Sequence, residues 1–260
     1  MEYPEFRGKT VFISGGSAGV GYRMAEMLAG QGCNIALTGR TAEKGEQAVA
    51  RLQAAGADAV FYTADGGDYD ACKSAIDRAE KRFGAIDALL SAGAEGRVGP
   101  RIFADMSPED LQNSFNDRIF PRIYPVHAAI PALRRSKGAV VMITTDAARH
   151  VTTGESVIGA TGAAIMLMTK GIARELSRDQ VRVNAIAMTL TSDTPSWDRI
   201  FSRDDLGTKV FSKALDRFPS GRAPNVDEVA QVALFLASDA ASQVTGQTIS
   251  VNGGLSFGGW

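Results

Sequence analysis

Several whole classes of function are excluded by what this sequence has little of. Cysteine and histidine are scarce: Cys33, Cys72, His127 and His150 are the full set in 260 residues. They form no metal-type pair, so a His/Cys zinc site is not expected. Charge of one sign is missing too, with 28 Lys and Arg against 29 Asp and Glu for a net charge of −1. Nucleic acid and anionic membranes select a basic excess, so neither is an expected partner. No apolar run approaches the length a membrane span needs, and residues 1–9 are polar, without a signal-like apolar core. The expectation is a soluble cytoplasmic protein with reduced thiols and no metal, acting on a small molecule.

What the chain does have is a glycine-punctuated turn near its start. The apolar run Thr10–Ser14 breaks into glycines at 15, 19 and 21 and then passes into a helix-forming segment. Strand, glycine-rich turn and helix in that order cradle a dinucleotide. One glycine makes the tight turn, another lets the backbone approach the pyrophosphate, and a third lets helix pack on strand. The helix N-terminus then turns its free N–H groups and positive dipole end toward phosphate.

The same alternation continues to the C-terminus. Apolar runs at 10–14, 34–39, 58–63, 86–91, 139–144, 181–187 and 247–251 read as strands. Their near-continuous apolar character is that of strands buried on both faces, which implies a mainly parallel sheet of seven. Helical patterns occupy 19–31, 42–55, 68–83, 107–135, 157–178 and 226–237, with Ile165, Met168, Ile172 and Leu176 marking a core stripe on the fifth. No linker or repeat interrupts them, so residues 1–260 are expected to form a single doubly wound α/β domain, with ligand at the carboxyl ends of the strands. Two stretches break local rules. Pro121 and Pro125 fall inside the fourth helix, where each costs ~3 kcal/mol in a regular helix, so a kink or a break is expected there. Residues 190–222, with Trp197, Phe201, Phe211 and Phe218, form a long connection, read as a lid over the substrate.

Over nearly its whole length the sequence resembles the short-chain dehydrogenase/reductase family. Ser14-Gly15, Gly19 and Gly21 match that family's Thr-Gly-x-x-x-Gly-x-Gly turn, with Ser in place of Thr. Asp65 matches the acid that meets adenine, and Arg182-Val183-Asn184-Ala185 matches the sixth strand. Gly221-Arg222, the 227–230 and 235–239 segments, Val244-Thr245-Gly246-Gln247 and Val251-Asn252-Gly253-Gly254 match the C-terminal third. The resemblance implies a Rossmann-type fold and a nicotinamide cofactor held around Ser14, Gly15, Ser17, Gly19, Val20, Gly21, Asp65, Ala92, Gly93 and Thr189. It also implies a homotetramer or homodimer joined through the fourth and fifth helices and the last strand. The second strand ends in Gly39-Arg40. A carboxylate there would accept the ribose 2′-hydroxyl, whereas Arg40 pairs with a 2′-phosphate, so the expected cofactor is NADP(H). A solvated surface charge is the alternative for Arg40.

The catalytic half departs from the family. Register fixed on residues 129–131 and 162–165 puts Ile158 and Gly162 where the family has Tyr-x-x-x-Lys. Thr145 stands at the Ser position and Arg118 at the Asn position, and the segment after the fourth strand reads Ser91-Ala92-Gly93-Ala94. Ile158 has no proton to give and Gly162 no ammonium, so the family's usual proton path is absent. Thr145 keeps a hydroxyl. Arg118 is expected to point into the space that Gly162 vacates and fix a carboxylate or phosphate there, or else to pair with Asp117. Asp146 and His150, with Glu155 and Ser156 nearby, are the other candidates for proton work. The reading of function is an NADP(H)-binding oxidoreductase acting on a carbonyl or alcohol, apolar or ring-bearing with an anionic group. The alternatives are a non-redox lyase or hydrolase on the same scaffold and a catalytically silent binding or regulatory subunit.

Overall fold

The computed structural model describes residues 2–94 and 96–257. In chain order these form β1 (Thr10–Ser14), α1 (Gly19–Leu28), β2 (Asn34–Gly39), α2 (Ala42–Ala54), β3 (Asp58–Thr63), α3 (Tyr69–Phe83) and β4 (Ala88–Ser91). There follow α4 (Pro108–Ser136), β5 (Ala139–Thr145), α5 (Ser156–Leu176), β6 (Arg182–Met188), α6 (Pro195–Phe201), α7 (Leu206–Leu215), α8 (Val226–Ala237) and β7 (Thr248–Val251). The seven strands make one parallel sheet in the order β3-β2-β1-β4-β5-β6-β7. Each expected strand is present with its ends within two residues; β4, for instance, starts at Ala88 rather than 86.

Alternation along the strands feeds two separate cores. Val11 and Ile13 of β1 face Met24 and Leu28 of α1, Leu52 of α2 and Val229 and Leu234 of α8. Phe12, between them, faces the other way, toward Ile76 of α3, Leu133 of α4 and Ile165 of α5. Helices therefore cover both faces, and the only place where neighbouring strands run to opposite sides is between β1 and β4. Doubly wound sheets open a crevice at that switch point. Register brings Ser14 level with Thr38 and Ser91, and Thr145 level with Met188, so the strand ends form one rim.

Three expectations need correction. The fourth helix is not broken: α4 runs continuously through Pro121, Pro125 and Pro131. Side chains supply donors to its carbonyls around the prolines: Arg122 Nη1 donates to the Arg118 carbonyl, and Ser91 Oγ donates to the Arg122 carbonyl at 2.8 Å. Its N-terminus is fixed by a reciprocal Ser107–Asp110 capping box. The 190–222 connection, in which the sequence pattern marked no helix, contains α6 and α7. Finally, the stretch Ser156–Asp179 is long and apolar enough, by length and composition, to cross a membrane. In the fold it is a core helix: Ile165, Ala173 and Leu176 are buried against β5, β6 and α4.

Candidate active site

The β1–α1 turn is built so that nothing larger than hydrogen fits at its closest points. Gly15 has φ +74°, and a Cβ there would lie 2.5 Å from Gly93 Cα, across the switch-point crevice. A Cβ on Gly21 would lie 2.2 Å from the Gly15 carbonyl oxygen. Such distances force backbone to move, so these positions hold the turn against the helix and against the end of β4. Hydrogen bonds tie the same corner: Gly16 N–H donates to the Thr38 carbonyl at 3.0 Å and Ala92 N–H to the Ser14 carbonyl at 3.0 Å. No side chain caps the start of α1, which leaves its first N–H groups facing the crevice. This cradle suits a dinucleotide pyrophosphate. Ser14, Gly15, Ser17, Ala92 and Gly93 come together here, Ser17 Oγ reaching the end of β2 beside Gly39. Val20 is buried in the core beneath, and Gly19 opens α1. Arg40 lies exposed at the end of β2, and Asp65, also exposed, has Oδ1 accepting from Gly67 N–H at 2.9 Å.

Beyond the crevice, the ends of β5 and β6 open into a cavity of about 280 Å³. Its floor and sides include Thr145, Asp146, His150, Glu155, Ile158, Met188 and Thr189. Trp197 and Ile200 of α6 and Phe211 of α7 also line it. Phe201 packs behind Trp197, ring centroids 4.6 Å apart. Phe218 is buried, against Gly253.

The four candidate catalytic residues fare differently. Thr145 lines the cavity; its Oγ1 accepts the Ala147 N–H at 3.2 Å, which orients the hydroxyl and leaves its proton free to be donated. His150 also lines the cavity, at the end of the 3-10 turn that follows β5. Asp146 lies in the wall but its carboxylate is taken: Oδ1 accepts from Ser250 Oγ at 2.9 Å, and Oδ2 accepts from Asn252 Nδ2 at 2.9 Å and from Ser256 Oγ. Arg149 continues the tie, donating to Ser250 Oγ at 2.7 Å and to the Thr248 carbonyl at 2.8 Å. Asp146 therefore fastens the β5 turn to the C-terminal segment, and the expectation that it moves a proton is replaced by that role.

The expectation for Arg118 is overturned more completely. A Cβ on Gly162 would meet Thr145 Cγ2 at 2.6 Å and Ala148 Cβ at 3.0 Å, so α5 has closed onto β5 and no long cavity exists where a lysine could lie. Arg118 is buried with its guanidinium turned to the β4–α4 loop, where Nη2 donates to the Val98 carbonyl and lies against Gly96. Its alternative reading fails as well, because Asp117 is paired with Arg97 at 2.5 Å. Burial lowers the pKa of Arg118, opposed by the charges of Asp117 and Glu155.

The guanidinium that does reach the cavity belongs to Arg122, one helical turn further on, which sequence reasoning missed. Its Nε donates to the Ile143 carbonyl at 2.5 Å and its Nη1 to the Arg118 carbonyl. Burial pulls its pKa down to about 10, with repulsion from Arg118 adding to the effect, so it remains a cation at neutral pH. The feature the sequence offered was an Arg between two prolines of one helix, Pro121 and Pro125. Glu155, already a candidate from the sequence, also lines the cavity: burial raises its pKa, while a Thr152 hydrogen bond and the charge of Arg118 pull the other way. The two cysteines are buried and their thiols pushed up, Cys33 to about 11 and Cys72 to about 12. No metal-type cluster of His, Cys, Asp or Glu occurs among the described residues.

Comparison with known proteins gives one consistent picture. A family model described as Enoyl-(Acyl carrier protein) reductase matches residues 15–256. A 3-oxoacyl-(acyl-carrier-protein) reductase of Chlamydia trachomatis is 28% identical over 250 residues, covering 95% of this chain and 97% of the relative. A 2,3-dihydroxy-2,3-dihydro-p-cumate dehydrogenase of Pseudomonas putida is 28% identical over 249 residues, covering 95% and 94%. Among solved structures, a short-chain type dehydrogenase/reductase from Mycobacterium ulcerans superposes with a TM-score of 0.88 at 26% identity, covering 96% of this chain and 90% of that one. A 7α-hydroxysteroid dehydrogenase complexed with NADH and 7-oxo glycochenodeoxycholic acid gives 0.87 at 25% identity, covering 98% of both.

Proposed function

Since the chain belongs to the short-chain dehydrogenase/reductase family, we propose that it is an NADP(H)-linked oxidoreductase acting on a small carbonyl or alcohol compound. One observation supports this reading: the turn that would cradle the nucleotide closes on Gly15 and Gly21, where a Cβ would lie 2.5 Å from Gly93 Cα and 2.2 Å from the Gly15 carbonyl oxygen. The residues that would hold the cofactor are the 14–21 turn and the open start of α1 for the pyrophosphate, Asp65 for the adenine, and Ala92, Gly93 and Thr189 toward the nicotinamide. Ser17 and Arg40 face the 2′-position, where a guanidinium favours a phosphate over a hydroxyl. When bound, the cofactor supplies hydride to the carbonyl carbon or accepts it from the alcohol.

The remaining chemistry falls to side chains around the cavity. The Thr145 hydroxyl, oriented by the Ala147 N–H, donates to the carbonyl oxygen and polarises it. His150 delivers the proton that this oxygen takes up and is reprotonated from solvent, work that an imidazole lining the cavity can do. Ile158 presents an apolar surface in place of a phenol, and Trp197, Ile200 and Phe211 shield the reacting carbon from water. Phe115 on α4 and Leu167 on α5 are exposed and suit association of copies through these helices. The absence of a titratable group at 158 and 162 is what favours a second reading, a lyase or hydrolase that uses the same cavity without redox turnover.

Titration of protein fluorescence separates these. The expected result is saturable quenching by NADPH, much weaker quenching by NADH, and loss of that preference in Arg40→Ser. Lack of binding of either nucleotide at millimolar concentration overturns the redox reading. Conversion of a carbonyl compound with no nicotinamide oxidation selects the second.

A further inference from the structure

We propose that Arg122 forms a carboxylate-binding subsite, so that the cavity takes a small organic acid whose apolar body lies under Trp197 and Phe211. The inference deepens the oxidoreductase reading and rests on it for the reaction, though not for the binding. Arg122 lines the cavity and is held by backbone alone, Nε on the Ile143 carbonyl at 2.5 Å and Nη1 on the Arg118 carbonyl. Those two bonds fix the plane of the guanidinium and leave Nη2 without a partner among the described residues. That nitrogen is not among the fully buried side-chain atoms left without a partner, and Arg122 is one of the residues that line the cavity.

The charge is uncompensated. No carboxylate lies within ion-pair distance of Arg122 among the described residues, and the charged group that acts on it most closely is Arg118, another cation. Of the two acids that line the same cavity, Glu155 acts on Arg118 instead, and Asp146 is bonded to Ser250, Asn252 and Ser256. A cation drawn out of water without a counterion is costly, and a rigid guanidinium matches a carboxylate better than any neutral oxygen. The fold therefore holds a positioned cation in a cavity that Trp197 and Phe211 also line. About 280 Å³ accommodates a compound of roughly one ring and a short acid side chain.

The test is titration calorimetry on the full-length protein with phenylpyruvate and its uncharged amide as probes, with and without saturating NADP+. NADPH affinity is measured separately by fluorescence. The expected result is carboxylate binding at least tenfold tighter than amide binding, a difference abolished in Arg122→Gln while NADPH affinity stays within twofold. Should Arg122→Gln fail to fold, having lost two backbone anchors, Arg122→Lys replaces it and is expected to retain a reduced preference. Equal binding of acid and amide by the parent protein overturns the proposal without any variant. So does an Arg122→Gln protein that keeps the preference but loses NADPH. Carboxylate preference in a protein that binds no nicotinamide nucleotide would leave the subsite standing and remove the redox reading. Nucleotide binding without the preference would do the reverse.

Discussion

The two halves of the sheet rim meet the same demand, holding a ligand over strand ends, in opposite ways. Around β1, α1 and β4 the contacts are backbone against backbone, Gly15 against Gly93 and Gly21 against the Gly15 carbonyl. Around β5, α5 and β6 one such backbone contact recurs, Gly159 against the Ala147 carbonyl, but most contacts run through side chains: Thr145 and Ala148 against Gly162, Asp146 against Ser250, Asn252 and Ser256, and Arg122 against two carbonyls. Backbone contacts admit almost no substitution. Side-chain contacts can be rebuilt piece by piece, so long as each buried polar group finds a partner. The nucleotide end therefore keeps a recognisable pattern while the substrate end can change its chemistry on an unchanged fold.

The largest effect that could break this comparison is at the rigid end. Gly21→Ala places a methyl group 2.2 Å from a carbonyl oxygen that has no flexible neighbour to yield. The expected cost is roughly 3 kcal/mol of stability, as for severe overpacking, with loss of NADPH binding. Urea denaturation reads the first and fluorescence quenching the second. A variant that loses less than about 1 kcal/mol would mean that the turn is as adaptable as the other end.

A smaller effect sharpens the contrast at the adaptable end. Gly162→Ala puts a methyl group 2.6 Å from Thr145 Cγ2 and 3.0 Å from Ala148 Cβ. An expected loss of about 1–2 kcal/mol follows, because one of the obstructing atoms is a side-chain methyl. Adding Thr145→Ser removes that methyl and should recover about half of the loss, a non-additivity that a double-mutant cycle measures. Strict additivity would show that the two residues are not the ones that closed the space. The same geometry implies that Ile158→Tyr with Gly162→Lys needs Thr145→Ser before a lysine can be accommodated.

How far the sequence spoke depended on whether the determining contact was local. All seven strands were legible, since buried parallel strands are continuous apolar runs, and the glycine turn was legible because its Gly21–Gly15 contact is local, although Gly15 also meets Gly93 after β4. Arg122 was not, because its importance depends on the distance from α4 to the Ile143 carbonyl, which no spacing within α4 encodes. Arg118 was misplaced for a related reason: replacing a long side chain by glycine was read as leaving a space, whereas helix and strand close together to fill it. Asp146 was read as a free carboxylate since its partners lie more than a hundred residues on, at Ser250, Asn252 and Ser256. The tolerance of α4 for three prolines also depended on donors from elsewhere, in Ser91 and in a side chain of the helix itself.

The smallest expected effect asks whether the rebuilt end carries an electrostatic cost that the nucleotide end does not. Burial raises the pKa of Glu155, against the Thr152 hydrogen bond and the charge of Arg118. The folded chain then holds the proton more tightly than the unfolded chain, whose carboxyl titrates near the ordinary value of 4.5. Stability must fall as pH rises from that value through the folded-state pKa, and level off above it. Glu155→Gln cannot ionise, so its unfolding temperature should exceed the parent's at pH 8 and match it near pH 4, where the parent's carboxyl is protonated in both states. Thermal melts at the two pH values decide the sign. A variant less stable than the parent at pH 8 would mean that Arg118 outweighs burial, and that Glu155 is held as an anion by the cation beside it.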